Sequence, residues 1–463
     1  MGSGSVFPLS SVLLILTLGA LLVAFFVNPA CSTSRRALDL HDHHHHQTMQ
    51  NGFKVTLKHI DSDKNLTKLE RLQRRIKRGR KRLQRLNVLS TSSSDHNLGA
   101  TSPVHAGQGE FLMKLSIGTP AETYNAILDT GSDLIWTQCK PCKDCYDQPT
   151  PIFDPKKSST FSKLSCESEF CEALPSQTCT NNSCEYYYAY GDFSSTDGIL
   201  ATETFTFGDV SIPKIGFGCG KDNQGGGFNQ GAGLVGLGRG TLSLVSQLKE
   251  PKFSYCLTSV DDTKSSSTLF MGSVANLDNT TSKHADIKTT PLIKNPNPDQ
   301  STFYYLGLEG ISVGDTRLPI EKDTFALGDD GNGGLIIDSG TTLTYIEEGA
   351  FDLLKTEFTS QIKLAEADAT DTVGLEVCFK LPEDDGSGKV EVPKLVFHFK
   401  NADLELPAEN YIIADTDVGV LCLAMGSASA MSVFGNYQQQ NFLVYHDLVK
   451  ETISFVPTKC DQL

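Results

Sequence analysis

The chain carries one six-residue pattern twice. Ile127-Leu128-Asp129-Thr130-Gly131-Ser132 and Ile336-Ile337-Asp338-Ser339-Gly340-Thr341 each run two apolar residues into a carboxylate, a hydroxyl, a glycine and a second hydroxyl, and the two acids stand 209 positions apart. The apolar pair predicts the end of a buried strand. The glycine permits a sharp reversal with the backbone close to the acid, and the hydroxyls can hydrogen-bond the carboxylate. Asp-Ser/Thr-Gly alone arises by chance in about one chain in five of this length. A single copy can be a strand-to-turn in which Asp caps its own backbone; two flanked copies about one domain apart are not explained that way. Two carboxyl groups brought close cannot both ionise cheaply and share a proton. The ionised partner acts as general base on a water, and the protonated partner donates to the carbonyl under attack.

Between the two acids lie further patterns. Tyr188-Ala189-Tyr190-Gly191-Asp192, followed by Thr-rich alternation to Phe207, predicts a β-hairpin. Trp136, the single tryptophan, follows the first acid loop. Cys139, Cys142 and Cys145 recur at two-residue gaps, and Cys166, Cys171, Cys179 and Cys184 crowd an insert rich in Ser and Asn. A zinc knuckle is one reading of the first three; an even twelve cysteines, once Cys31 leaves with the N-terminal segment, favours disulfides, whose connectivity spacing alone does not fix.

With these motifs the chain resembles the bilobal pepsin-like aspartic proteases over nearly all of residues 107–463, and its cysteine-rich insert resembles the nepenthesin-like plant branch. The resemblance implies a mainly β fold of two related lobes with the active site in the cleft between them. It implies Asp129 and Asp338 as catalytic dyad, supported by Thr130, Gly131, Ser132, Ser339, Gly340 and Thr341, with Ser132 and Thr341 orienting the outer carboxylate oxygens. Tyr190 matches the flap tyrosine, its hydroxyl near Trp136; the branch usually has Gly where Phe193 stands. The implied disulfides are Cys139–Cys142, Cys145–Cys219, Cys166–Cys184, Cys171–Cys179, Cys256–Cys460 and Cys378–Cys422. Protein or peptide substrates, an acidic optimum, a monomer and the absence of any metal or organic cofactor follow from the same likeness. The alternative within this fold is an inactive relative that binds or inhibits another secreted protein, as plant xylanase inhibitors do; such relatives typically damage one acid motif, and both are whole here.

Composition bounds the setting. A hydrophobic content of 39% and a charged content of 21% fit a globular protein, and a net charge of −15 argues against nucleic acid as a partner. Thirteen cysteines point to an oxidising compartment. Val12 to Val27 is an apolar run followed by Asn28-Pro29-Ala30-Cys31, which suits a signal peptide over 1–31, with an uncleaved signal anchor as the rival because no basic residue precedes it. The closing Cys460-Asp461-Gln462-Leu463 is neither a retention signal nor a lipid-anchor tail. We expect no stable membrane anchor and a secreted, apoplastic protein, with the vacuole as the other destination. Sequons at Asn65, Asn181 and Asn279 suit that route.

Residues 32–105 read as a propeptide. The histidine run His41 to His46 is a polar linker or a metal-binding tract. Thr67-Lys68-Leu69-Glu70 is a capping box opening an amphipathic helix, with Leu69, Leu72, Ile76, Leu83 and Leu86 on one face and Arg71, Arg74, Arg75, Lys77, Arg78, Arg80, Lys81, Arg82 and Arg85 on the other. Such a run suggests nucleic acid or membrane; a leader lying on an acidic enzyme fits better, since residues 1–105 carry +9 and residues 106–463 carry −24. We expect an electrostatic clamp that fades as body carboxylates protonate and leader histidines gain charge, and a cleavable linker over Ser90–His105.

The lobes are expected at 106–275 and 276–463. Val433-Phe434-Gly435-Asn436 mirrors Leu234-Val235-Gly236, in agreement with an internal duplication. A short helix is expected at Leu242–Lys249 and a longer one at Glu347–Leu364, with Phe351, Leu354, Phe358 and Ile362 on one face. Gly233 to Gly240 lacks the spacing of a dinucleotide loop, and Asp329 to Gly333 fails the full calcium-loop pattern. A serine-type mechanism needs a His base, and only His284, His398 and His446 lie beyond the leader.

Overall fold

Phe111–Ile117 alternates buried and more exposed residues and pairs antiparallel with Glu122–Asp129, from Ile117↔Glu122 to Phe111↔Leu128. The computed structural model describes residues 52–91, 104–105 and 111–463, apart from 191–193, 226–227, 229–230, 249–250, 260, 263, 278–285 and 383–389. In it Leu234–Gly236 runs parallel to the far edge of the first acid strand, Leu234 beside Ile127 and Gly236 beside Asp129. Covered on both sides, that strand is apolar from Ala126 to Leu128 rather than alternating. The second acid strand repeats the arrangement: Leu335–Ile337 lies between antiparallel Tyr304–Leu306 and parallel Ser432–Phe434. The fold is the mainly β, bilobal pepsin-like one, with the same strand-beneath-loop device in each lobe.

Six antiparallel strands join the two halves, in the order Lys288–Ile293, Thr452–Pro457, Phe442–Asp447, Lys252–Cys256, Ser267–Met271 and Phe53–His59. The last comes from the leader. Its Phe53, Val55 and Leu57 are buried, Phe53 stacks on Phe207 at 4.6 Å, and the strand's far edge pairs with Phe111–Met113.

The leader helix spans Lys68–Thr91 and begins with the expected capping box: the Glu70 carboxylate accepts from the Thr67 N–H at 2.8 Å, and Thr67 Oγ1 accepts from the Glu70 N–H at 3.2 Å. Leu72, Ile76, Leu83 and Leu86 are buried in one apolar cluster with Phe303, Leu343, Tyr345, Val373 and Leu375. Assigning all the arginines to the wet face is corrected in two places. Arg75 is 6% exposed and Arg82 fully buried, because three- and four-residue steps from Leu72 reach both. Elsewhere the helices fall at Leu244–Gln247, capped by Ser243, and at Glu348–Gln361, whose Phe351, Leu354 and Phe358 are buried. Among the described residues no helix is long and apolar enough to cross a membrane; Val12–Val27 lies outside them.

Four of the implied cysteine pairings are replaced. The bonds run Cys139–Cys219, Cys142–Cys145, Cys166–Cys179 and Cys171–Cys184; Cys256–Cys460 and Cys378–Cys422 stand as expected. Cys139 sits at the end of Trp136–Gln138, which runs parallel to the strand holding Cys219 and pairs Thr137 with it, so these two meet while Cys142 and Cys145 close the turn beyond. In the insert, burial sorts the thiols: Cys171 and Cys184 are both buried, whereas Cys179 is exposed and Cys166 half-buried. Asn181 occupies the exposed hairpin turn between Thr180 and Ser183, with Asn182 beside it, both at positive φ; Asn279 and Phe193 lie outside the described residues.

Cross-link effects grow with the loop closed. Replacing Cys256 and Cys460 together by alanine, which opens a bridge spanning 204 residues, is expected to cost about 2–4 kcal/mol. Opening the three-residue Cys142–Cys145 bridge should cost less; urea unfolding of the two double variants gives the order.

Candidate active site

Each acid strand ends in a tight loop that turns its own donors back on the carboxylate. Asp129 accepts from Ser132 Oγ at 2.6 Å and the Gly131 N–H at 3.1 Å; Asp338 accepts from Thr341 Oγ1 at 2.5 Å and the Gly340 N–H at 3.0 Å. Thr130 crosses between lobes: its Oγ1 donates to Asp338 Oδ1 at 3.2 Å and accepts from the Ser339 N–H at 3.1 Å, with the Ser339 hydroxyl 3.2 Å away. Both acids are buried.

Between them stands Arg82. Its Nη2 reaches Asp129 Oδ1 at 2.5 Å and Asp338 Oδ1 at 2.8 Å, and its Nε reaches Asp338 Oδ2 at 2.5 Å. Gly340 forms the floor, since a Cβ there would lie 2.5 Å from the guanidinium carbon. Burial works to lower the arginine's pKa, and the two carboxylates more than offset it. Burial and then the neighbouring charge of Asp338 push Asp129 up, against the pull of Arg82. Asp338 is buried too, but Arg82 and the donors from Thr341 and Gly340 hold it below the ordinary carboxylate value.

The helix that delivers Arg82 is fixed on the second acid loop. Thr342 Oγ1 donates to the Arg75 carbonyl at 2.9 Å, and the Arg75 guanidinium donates to Asn436 Oδ1 at 3.1 Å. Asn436 Nδ2 in turn donates to the Ser339 carbonyl at 2.8 Å. Gly79 faces Thr342 with no room to spare: a Cβ there would sit 3.3 Å from three Thr342 atoms. The leader's other cations are used within and beyond it. Lys64, Arg74 and Arg78 converge on buried Asp61 at 2.8, 3.3 and 2.6 Å, and Lys68 reaches Asp261 at 3.0 Å. Val104–His105 then runs parallel to Ala189–Tyr190 at the flap strand.

The flap hairpin forms from Ser183–Tyr190 and Ser195–Phe207. Trp136 Nε1 donates to the Tyr190 hydroxyl at 2.7 Å, with both side chains buried and Phe228 packed edge-on against each ring. Phe228 and Arg82 are the residues sequence reasoning missed. Nothing local marks Phe228; Arg82 is marked by lying seven residues beyond Arg75 in the helix's apolar stripe. A Ser312–His398–Asp403 chain also exists, with both contacts at 2.7 Å. It lies across the strands of a four-stranded sheet, where backbone N–H groups are committed to ladder pairing rather than aimed at a reacting oxygen.

Two related β lobes, each supplying one acid loop to a common buried centre, define a pepsin-like aspartic protease. Residues 111–273 match the family described as Xylanase inhibitor N-terminal and residues 303–457 match Xylanase inhibitor C-terminal. The chain is 51% identical to aspartic proteinase nepenthesin-1 of Nepenthes gracilis, over 95% of this chain and 96% of that one. It is 49% identical to nepenthesin-2 of the same plant, over 98% and 99%, and 38% identical to aspartyl protease family protein 2 of Arabidopsis thaliana, over 88% and 85%. In fold it is similar to the crystal structures of edgp (TM-score 0.61, 20% identity, 76% of this chain and 92% of that one) and basic 7S globulin from soybean (0.58, 18%, 75% and 93%). The chain belongs to the nepenthesin-like, atypical plant aspartic proteases and is an aspartic-type endopeptidase.

Because Trp136 is unique, its emission reads the flap contact alone. Tyr190→Phe leaves a buried indole N–H without its acceptor and is expected to cost about 1–3 kcal/mol and to shift the tryptophan emission. An unchanged spectrum and unfolding midpoint would detach Trp136 from the flap.

Proposed function

We propose that this protease is made as a secreted zymogen and hydrolyses peptide bonds at acidic pH with Asp129 and Asp338 as its dyad. Residues 1–31 are the signal peptide and 32–105 the propeptide; the lobes are 106–275 and 276–463. The enzyme acts as a monomer on protein or peptide substrates, in the apoplast or the vacuole, and is glycosylated at Asn181 and Asn279. The observation that carries this reading is Arg82, whose guanidinium contacts both acids at once. A cation there occupies the space in which a water must stand between the carboxylates, so the leader-bound form is latent. With the leader withdrawn, one carboxylate takes a proton from water as it attacks the scissile carbonyl, and the protonated partner donates to the carbonyl oxygen. The tetrahedral intermediate collapses as the amine leaves with a proton from the dyad. Intact acid loops with all their hydroxyl donors support activity over an inhibitor role.

Acid releases the leader through groups whose protonation the closed form opposes. Burial, then Arg75 and Arg78, keeps His59 neutral well below its ordinary value, with Asp61 opposing and Lys64 adding slightly. A released leader takes up that proton below about pH 6.5, so closed-form stability is full above that value and is lost as pH falls. Asp61 is buried, which raises its pKa, but Arg78 and Lys64 bring it below normal; Asp338 is likewise held low. For these carboxylates the stabilisation is present above about pH 4 and disappears as pH falls through the lowered values.

Purified full-length protein, assayed on a denatured protein between pH 2 and 7 with and without a statine-type inhibitor, tests the reading. Asp129→Asn and Asp338→Asn are each expected to fold and lose nearly all turnover; substantial hydrolysis by either removes the dyad mechanism. Arg82→Ala breaks a buried ion pair, a loss of about 3–5 kcal/mol, and should give a zymogen already active near pH 6. His59→Asn, which keeps an acceptor for the Asp61 N–H but cannot charge, should move the activation midpoint to lower pH. An unchanged midpoint assigns the trigger to the carboxylates alone.

A further inference from the structure

We infer that Asp133 is a positioning residue for this protease, tying the Asp129 loop to the opposite lobe through Thr302. Asp133 stands four residues past the first acid. Its Oδ1 accepts from Thr302 Oγ1 at 2.7 Å and from the Gly240 N–H at 2.8 Å. The Thr302 carbonyl accepts from the Arg239 N–H at 3.1 Å, so the contact is two-sided. The socket is fitted to the carboxylate. A Cβ at Gly238 would lie 2.3 Å from Asp133 Oδ1, and one at Gly240 would lie 2.3 Å from Oδ2.

What the tie holds follows from the chain on either side. Two residues past Thr302, Tyr304 opens the strand that pairs with the second acid strand, Tyr304 opposite Ile337, immediately before Asp338. Tyr304 also donates its hydroxyl to the Leu237 carbonyl at 2.6 Å, and the Leu237 N–H donates to the Asp129 carbonyl at 2.8 Å. Asp129, Asp133, Thr302, Tyr304, Ile337 and Asp338 thus form a closed circuit of short rigid segments. The six-stranded sheet joins the lobes at a distance from the acids, and the Thr130 hydrogen bonds link them at the base of the dyad. The Asp133–Thr302 contact adds a tie from the far side of the Asp129 loop itself to the opposite lobe, which constrains the separation and tilt of the acids. Burial pushes the Asp133 carboxyl up, against the hydrogen bonds from Thr302 and Gly240. With a proton on Oδ2, Oδ1 still accepts both bonds, so the tie survives at acidic pH.

The test uses the full chain, acid-activated, with kcat expressed per centre titrated by a tight statine-type inhibitor, so that misfolded or unprocessed protein does not count. Thr302→Val deletes the tie and leaves the carboxylate in place; Thr302→Ser keeps the hydroxyl. The expected result is a fall in kcat of about tenfold for Thr302→Val and Asp133→Ala, with KM within about twofold. Thr302→Ser should recover most of the loss, and the double variant should be no worse than Asp133→Ala alone. If Asp133→Ala does not fold, the Val–Ser pair at 302 decides. A wild-type kcat for Thr302→Val overturns the inference, as does a Thr302→Ser variant no better than Val. Asp338→Asn stays inactive in either case, which separates failure of this inference from failure of the dyad.

Discussion

Two carboxylates buried against each other are unstable unless something answers the second charge, and the rest of this molecule is arranged around that problem. Neutral donors supply part of the answer: a hydroxyl and an amide from each loop, and Thr130 from across the lobes. Such bonds favour the anion, each contributing about 1.5–3 kcal/mol net when the acceptor is charged, but they bring no countercharge. The leader adds a full positive charge at 2.5 Å from both acids. Withdrawing it returns the problem, and a shared proton is then the remaining solution. On the mechanism proposed above, protonation of the dyad weakens its hold on Arg82, alongside His59 and Asp61, and also supplies the proton that hydrolysis uses.

The leader holds its place by two unlike attachments. Its strand Phe53–His59 is the outermost of the six interlobe strands and is bound by backbone pairing on both edges. Its helix is bound by shape and by the second acid loop. Gly79, a poor helix residue, is what lets the axis come down onto Thr342; the closeness of that approach sets how far Arg82 reaches. The leucines seal the stripe on either side of the guanidinium and keep water from competing for it. Asp61 offsets part of the mutual repulsion among Lys64, Arg74 and Arg78.

How much of this was legible in the sequence depended on the range of the interaction. The acid loops, the capping box and the flap hairpin are local patterns, and the structure realises them at the expected residues. Arg82 was hidden by composition, not by distance. Ten basic residues in one helix invite the reading that all are wet, whereas steps of three and four from Leu72 run through Arg75, Ile76, Gly79, Arg82, Leu83 and Leu86. An arginine and a glycine inside an apolar stripe are the signal of a helix that meets something charged at close quarters. The cysteine pairing failed for another reason: strand register brings Cys139 to Cys219, and burial sorts the four thiols of the insert, and the family likeness carried neither. Asp133 and Thr302, 169 positions apart, share no pattern at all; only the folded circuit brings them together.

The two acid loops are near copies, yet in the leader-bound form they differ in charge preference, Asp129 upward and Asp338 downward. The loops themselves do not account for this, since each gives its acid one hydroxyl and one amide. The difference comes from outside them. Arg82 bonds both oxygens of Asp338 as well as Asp129 Oδ1, and Thr130 donates across to Asp338. In the proposed active form, without Arg82, the two acids lose their protons in two steps that belong to the pair rather than to either residue. The division into base and acid is then set by the water and the carbonyl that enter the cleft. Chemistry by such a pair depends on the separation and tilt of two similar loops, more than on the individual acidity of either.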